Sequence, residues 1–194
     1  MDEVSEGETI RVFCAVELPG EVSAAAAAHA ARLRRDFPDA RASWVRPEGL
    51  HVTLKFIGEV ETARVEILSR AAGAAVEGFR PFRLSIGESG TFPPRGAARV
   101  LWLGVKDSTG QLSQLQRRLE EECGAGGFPR EPRAFKPHLT LARLRNPQDA
   151  HALSEAHRQT PFGPFDFEVN ELVLMRSELG PGGSRYTPVS RHTF

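Results

Sequence analysis

The sequence predicts a mixed fold of helices and strands in two roughly equivalent halves, and three observations point there. Strand-like and helix-like segments alternate along the 194-residue chain. His51-Val52-Thr53-Leu54-Lys55-Phe56 and Pro137-His138-Leu139-Thr140-Leu141-Ala142-Arg143 are short, apolar and β-branched, alternate with period 2, and repeat one His-x-Thr-Leu pattern. No linker separates the halves, so 1–194 reads as a single domain, with 1–9 a flexible tail. At average composition a given His-x-Thr-Leu arises by chance in only about one chain in fifty of this size.

Taken in order, residues 10–18 alternate as a strand that Pro19-Gly20 ends. Residues 21–36 are Ala-rich and helix-prone, with Leu33 and Phe37 on the buried side and Pro38 stopping the run. Ser43–Arg46 reads as a short strand, and Pro47-Glu48-Gly49 turns into the first motif strand, which Gly58 closes. Alternation puts His51, Thr53 and Lys55 on one face of it and Val52, Leu54 and Phe56 on the other. Thr62–Val76 spaces Val65, Leu68, Ala72, Ala75 and Val76 as an amphipathic helix. The pattern then restarts. Phe82–Ser89 is a strand, Gly90–Gly96 a Gly/Pro-rich loop, and Val100–Val105 a strand leading to a helix with Leu112, Leu115 and Leu119 at i, i+3 and i+7. Gly124–Pro132 is too rich in Gly and Pro for an element. After the second motif strand, Asn146-Pro147 opens a further helix. Strands at about 165–169, 171–178 and 185–192 finish the chain.

Composition narrows the function. Lys plus Arg number 25 and Asp plus Glu 25, so no global field holds long nucleic acid. The charge is local: Arg130, Arg133, Lys136, Arg143 and Arg145 stand against Glu131 alone between residues 130 and 145. That suits a small anionic group or an RNA end. No apolar run reaches membrane-span length, and the acidic start is neither a secretory nor a mitochondrial leader. Cys14 and Cys123 form no disulfide framework or metal spacing and read as buried thiols in a reducing cytoplasm.

Two imidazoles of ordinary pKa near 6.5 suit phosphoryl chemistry, because at neutral pH one can act as base while the other acts as acid. Thr53 and Thr140, on the same side as their histidines, can donate hydrogen bonds to non-bridging phosphate oxygens. The residues alone leave open which histidine plays which part. The scheme needs no metal or other cofactor. A zinc site from His51, His138 and Glu59 would leave the threonines unexplained, and no phosphate-binding Gly-rich loop argues for an ATP-driven ligase.

With Arg11–Pro19, Trp44-Val45, Phe56-Ile57-Gly58, Val100–Gly104 and the ending Ser177 to Tyr186, the two motifs resemble the 2H phosphoesterases. Within that superfamily the chain is most similar to the bacterial and archaeal RNA 2′,3′-cyclic phosphodiesterases, once described as 2′-5′ RNA ligases. The resemblance covers almost the whole chain. It implies an α+β fold: two lobes of antiparallel sheet with outer helices, related by a pseudo-two-fold, around a central cleft. It implies His51 as proton donor to the leaving 3′ oxygen and His138 as the base that activates water. It also implies Arg143 as a phosphate ligand, which strict alternation forbids unless the strand bulges.

Phe92 and Tyr186 are candidate stacking platforms for a nucleobase; Phe13, Phe56, Phe82 and Trp102 read as core or cleft wall. His29, His151, His157 and His192 read as solvent-facing. Lys55 is placed at the rim, outside the catalytic set. The expected activity is hydrolysis of 2′,3′-cyclic phosphate RNA ends to 2′-phosphates by a cytoplasmic monomer, acting on RNA ends or small cyclic nucleotides with no membrane partner. The alternatives are action on 2′-5′ linkages, including ligation, and a non-catalytic nucleotide-binding module.

Overall fold

The structure is a computed structural model and describes residues 7–146, 150–180 and 183–194. In chain order it contains β1 (Thr9–Glu17), α1 (Gly20–Asp36), β2 (Ala42–Trp44), a 3-10 turn (Pro47–Gly49) and β3 (His51–Glu61). A second 3-10 turn (Thr62–Arg64) enters α2 (Val65–Val76), followed by β4 (Phe82–Phe92), β5 (Val100–Lys106) and α3 (Gln111–Ala125). The chain ends with β6 (His138–Leu144), α4 (His151–Gln159), β7 (Phe165–Val169), β8 (Glu171–Gly180) and β9 (Gly183–Thr193). The expected helix start at Asn146-Pro147 falls partly outside the described residues.

All strand pairs are antiparallel, and the order is β7-β4-β5-β6-β3-β1-β8-β9 with β2 added to β6. Four strands lie on the β3 side of the β3–β6 junction and five, counting β2, on the β6 side, which is the α+β, two-lobed arrangement the resemblance implied. The junction is slight: Val52 opposite Leu139 is the pair that joins the lobes. Because β3 and β6 are antiparallel and touch near their first residues, the two motif starts lie side by side. The remainders of the strands run apart.

The lobes are not the two halves of the sequence. The C-terminal β8–β9 hairpin completes the lobe of β1 and β3, while β2 leaves that half to pair with β6. Helices exchange as well, with α1 packed on β6 and α4, and α3 on β3 and α2. Each lobe's outer strands would otherwise present unpaired backbone, so the distant segments that cover them tie the lobes into one body.

The helices share one face of the sheet. Leu33, Leu68, Leu115, Leu119 and Leu153 from the four helices pack with Val12, Leu54, Leu103, Leu139, Leu141 and Leu174 from the strands, all of them buried. Each such leucine contributes about 1.5–3 kcal/mol by leaving water. Cys14 and Cys123 are both buried and free; burial raises the Cys123 thiol to about 11 and pushes Cys14 up further. The opposite face carries a small separate cluster of Phe13, Ala15, Val173 and Met175, partly covered by Tyr186. No helix is long and apolar enough to cross a membrane among the described residues.

Candidate functional site

The open face is where the two motifs meet. Extending the Val52–Leu139 pairing by one residue each way sets His51 beside Thr140 and Thr53 beside His138. All four side chains are half-buried, and His138 is close enough for its charge to bear on His51. Neither threonine hydroxyl has a hydrogen-bond partner among the described residues, so both donors remain for a ligand.

Both imidazoles are oriented by the same device. His51 Nδ1 donates to the Gly49 carbonyl at 2.8 Å, and His138 Nδ1 donates to the Lys136 carbonyl at 2.6 Å. In each case the acceptor lies two residues upstream. Pro137 biases Lys136 towards extended backbone, whereas the Pro47–Gly49 turn presents the carbonyl to His51. With the proton held on Nδ1, Nε2 is the free nitrogen in both rings.

Aromatic rings fix the imidazole planes. Phe13 stacks on His51 at 4.7 Å between centroids, and Tyr186 meets His51 edge-on at 5.0 Å. Phe92 meets His138 edge-on at 5.0 Å, with Trp102 behind at 6.5 Å. Two glycines permit this. A Cβ on Gly49 would lie 3.2 Å from the Tyr186 ring, and one on Gly90 would lie 2.2 Å from the Trp102 indole. The Trp102 indole N–H is a buried donor without an acceptor among the described residues.

A bulge in each motif strand decides what else reaches the open face. On β6 the register with β5 slips between Thr140 and Ala142, so Leu141 and Ala142 are both buried and Arg143 is exposed. Arg143 thereby joins His138 and Thr140, as its expected phosphate role required. On β3 the register with β1 slips between Thr53 and Lys55, so Leu54 and Lys55 are both buried and Phe56 emerges. This corrects two expectations. Lys55 is not at the rim: its Nζ donates to Glu120 at 2.6 Å and to the Pro129 carbonyl at 2.8 Å, on the helix side. Phe56, by contrast, faces solvent under the Arg11 guanidinium, 4.9 Å from the ring centre.

Other expectations change as well. Phe92 is the last residue of β4 rather than part of a loop, because the strand continues through Gly90 and Thr91. Phe13 and Trp102, as expected, form walls of the open face, and Phe82 is core. His151 is exposed as expected, but His29 and His157 are buried and His192 is half-buried beside Ser190. His157 Nε2 donates to the Trp102 carbonyl at 3.0 Å, and its Nδ1 lies 3.3 Å from His29 Nε2. The pair sits behind the wall against which His138 rests, at the meeting of α1 and α4. The weakly patterned Ala-rich α1 carried no signal that His29 would be covered.

Burial lowers the pKa of His51 to about 4, partly opposed by its Gly49 hydrogen bond and by the Glu17 carboxylate. It lowers His138 too, with Arg143 adding to the effect. Both imidazoles are therefore neutral at neutral pH, and an anion placed between them would favour protonation. Among the described residues no three His, Cys, Asp or Glu side chains converge as a metal site.

The arrangement has counterparts. The chain is 35% identical to an RNA 2′,3′-cyclic phosphodiesterase of Methanothermobacter thermautotrophicus over 181 residues, 92% of this chain and 95% of that one. It is 32% identical to the Escherichia coli protein of the same name, over 95% of this chain and 96% of that one. Among solved structures, a Thermus thermophilus protein superposes with a TM-score of 0.78 at 29% identity, covering 95% and 97% of the two chains. Escherichia coli LigT complexed with 3′-AMP superposes with a TM-score of 0.76 at 31% identity, covering 96% and 99%. The sequence pattern of the 2′-5′ RNA ligase superfamily matches residues 21–181, from the start of α1 to the end of β8. With both motifs, the two-lobed sheet and these relatives in agreement, the chain belongs to that superfamily of 2H phosphoesterases.

Proposed function

We propose that this protein is an RNA 2′,3′-cyclic phosphodiesterase that opens the cyclic end to a 2′-phosphate. The observation that carries the reading is the pair of imidazoles, each fixed through Nδ1 with Nε2 free, flanked by unpartnered threonine hydroxyls. The relatives named above carry this activity in their names.

In this mechanism neutral His138 Nε2 takes a proton from water as its oxygen bonds to phosphorus. The bond from phosphorus to O3′ breaks, and protonated His51 delivers its Nε2 proton to that oxygen. Thr53, Thr140 and Arg143 hold the non-bridging oxygens and stabilise the charge that grows there. Two neighbours act in the sense of this division of roles, while burial, the largest influence on both rings, lowers His51 to about 4. The Glu17 carboxylate favours a cation on His51, and the Arg143 guanidinium disfavours one on His138. The anionic substrate completes the pair by raising the His51 pKa as it binds. Phe92 and Tyr186, beside the two histidines, are suited to stack on the terminal base. Two buried free thiols suit a reducing cytoplasm.

The test is a short RNA ending in a 2′,3′-cyclic phosphate, incubated with EDTA and wild type, His51→Ala or His138→Ala protein. We expect a 2′-phosphate product from wild type and a loss of about a hundred- to ten-thousand-fold in each variant. Turnover only with an added divalent metal would defeat the scheme. Tight nucleotide binding without turnover in any condition would favour a binding module, and cleavage of 2′-5′ linkages alone would favour the linkage-specific alternative.

A further inference from the structure

The two motif strands are alike in conformation but opposite in the charge of their far ends. Beyond the junction, β3 runs to exposed Glu59 and Glu61, with exposed Glu8 beside them through the bond from Thr62 N–H to the Glu8 carbonyl. Beyond the same junction, β6 runs to exposed Arg143 and Arg145. Its neighbours enlarge that basic end. Arg145 N–H donates to the Arg41 carbonyl at the start of β2, and Leu144 N–H to the Arg99 carbonyl at the start of β5. Arg95 lies in the turn from β4 to β5, shortly after Phe92.

Arginines thus line the ends of β4, β5, β6 and β2, about 15 Å across adjacent strands. None of Arg41, Arg95, Arg99, Arg143 and Arg145 is ion-paired to a carboxylate among the described residues. Two surface cavities flank the row. One of about 400 Å³ is lined by Arg34, Arg41 and Arg145 with Asp39. The other, of about 660 Å³, is lined by Arg95 and Arg158 with Glu155. In a chain of zero net charge this concentration is a local field of one sign.

We propose that this end of the β4-β5-β6-β2 lobe is a track for the RNA backbone on the 5′ side of the reacting nucleotide. The proposal rests on the function proposed above, since it takes the RNA end to lie at His51 and His138. Arg99 and Arg95 lie on the β5–β4 side of Arg143 and Arg41 lies on its β2 side, so the row spans a length of a few stacked nucleotides at about 3.4 Å each. The far end of β3, where Glu59 and Glu61 outnumber Arg11, is the less favourable side for the same backbone. The contacts are to phosphates and carry no sequence preference.

The test compares wild type with Arg41→Gln/Arg95→Gln/Arg99→Gln, which leaves both motifs and Arg143 in place. The probe is a fluorescein-labelled single-stranded RNA ending in a 2′-phosphate, its Kd read by anisotropy from about 50 to about 200 mM salt. We expect Kd to rise about tenfold or more at low salt and the log Kd against log salt slope to become shallower by about two, at roughly 0.7 per lost phosphate contact. A nucleoside 2′-phosphate, which fills the histidine site without reaching the track, should bind both proteins equally. Equal RNA affinity and slope in the two proteins would overturn the track, as would an equal weakening of the nucleoside 2′-phosphate. Turnover of a nucleoside 2′,3′-cyclic phosphate is measured beside it. Its absence in wild type would defeat the proposed chemistry, while the RNA affinities still decide the track.

Discussion

Arg143 is the residue whose placing depends most on a single conformational detail, the bulge at Leu141-Ala142. A charge-assisted hydrogen bond from it to a phosphate oxygen should contribute roughly 1.5–3 kcal/mol. Arg143→Gln is therefore expected to lower kcat/KM by about ten- to a hundred-fold. Steady-state kinetics with a nucleoside 2′,3′-cyclic phosphate checks this, and an unchanged kcat/KM would return Arg143 to the surface. His51, His138 and the two threonines were legible in the sequence because the same short pattern occurs twice in strand context. The rings that hold the imidazoles were legible only as aromatic residues near the site. Their contacts depend on the close approach of Tyr186 to Gly49 and of Trp102 to Gly90, which no local pattern records.

At the scale of elements, the bulge shared by β3 and β6 governs which side chains reach the site. Strict alternation fails at Lys55 and Phe56 because an extra residue turns the chain over. The clue was present: Arg143 needed a bulge to reach the site, and the second motif aligns residue for residue with the first. Transferring that bulge to β3 would have buried Lys55 and exposed Phe56. In the fold, Lys55 and Glu120 form a buried pair that also accepts Glu131 N–H at 3.2 Å, tying the segment before β6 to β3 and α3. Lys55→Met leaves that carboxylate without its cation and is expected to cost about 3–5 kcal/mol in urea unfolding. Lys55→Met/Glu120→Leu should recover much of the loss, and failure to do so would assign the cost to packing alone. Gly90→Ala is expected to displace the Trp102 indole and cost about 1–3 kcal/mol, with loss of the near-ultraviolet dichroism of the tryptophan.

For the whole molecule, the exchange of helices between lobes places ionisable groups where no local pattern announces them. His29 and His157 are buried between α1 and α4, and burial lowers His29 to about 4 and His157 in the same direction. A histidine with a depressed folded pKa binds fewer protons than in the unfolded chain, whose value is 6.5. Its contribution to stability is complete above that pH and is lost as the pH falls towards about 4. Urea midpoints should therefore fall between about pH 7 and about pH 5, and His29→Asn should flatten the dependence. A midpoint constant over that range would contradict the burial of neutral imidazoles. Most strand boundaries were readable from alternation and turn residues, and the two antiparallel lobes with their two-fold arrangement from family resemblance. The crossing of β2, α1, α3 and the β8–β9 hairpin between lobes is a long-range solution to covering sheet edges, invisible to local periodicity.

The proposed chemistry has two imidazoles acting in opposite protonation states, both with pKa values depressed by burial. The pH dependence of kcat/KM for a nucleoside 2′,3′-cyclic phosphate tests it most directly. With His51 at about 4 and His138 below 6.5, the profile should be bell-shaped and centred below pH 6.5, falling on the alkaline side. The optimum of kcat should lie higher, because the bound anion stabilises the protonated acid. A kcat/KM that stays flat from about pH 5 to about pH 9 would contradict the assignment of acid and base to His51 and His138.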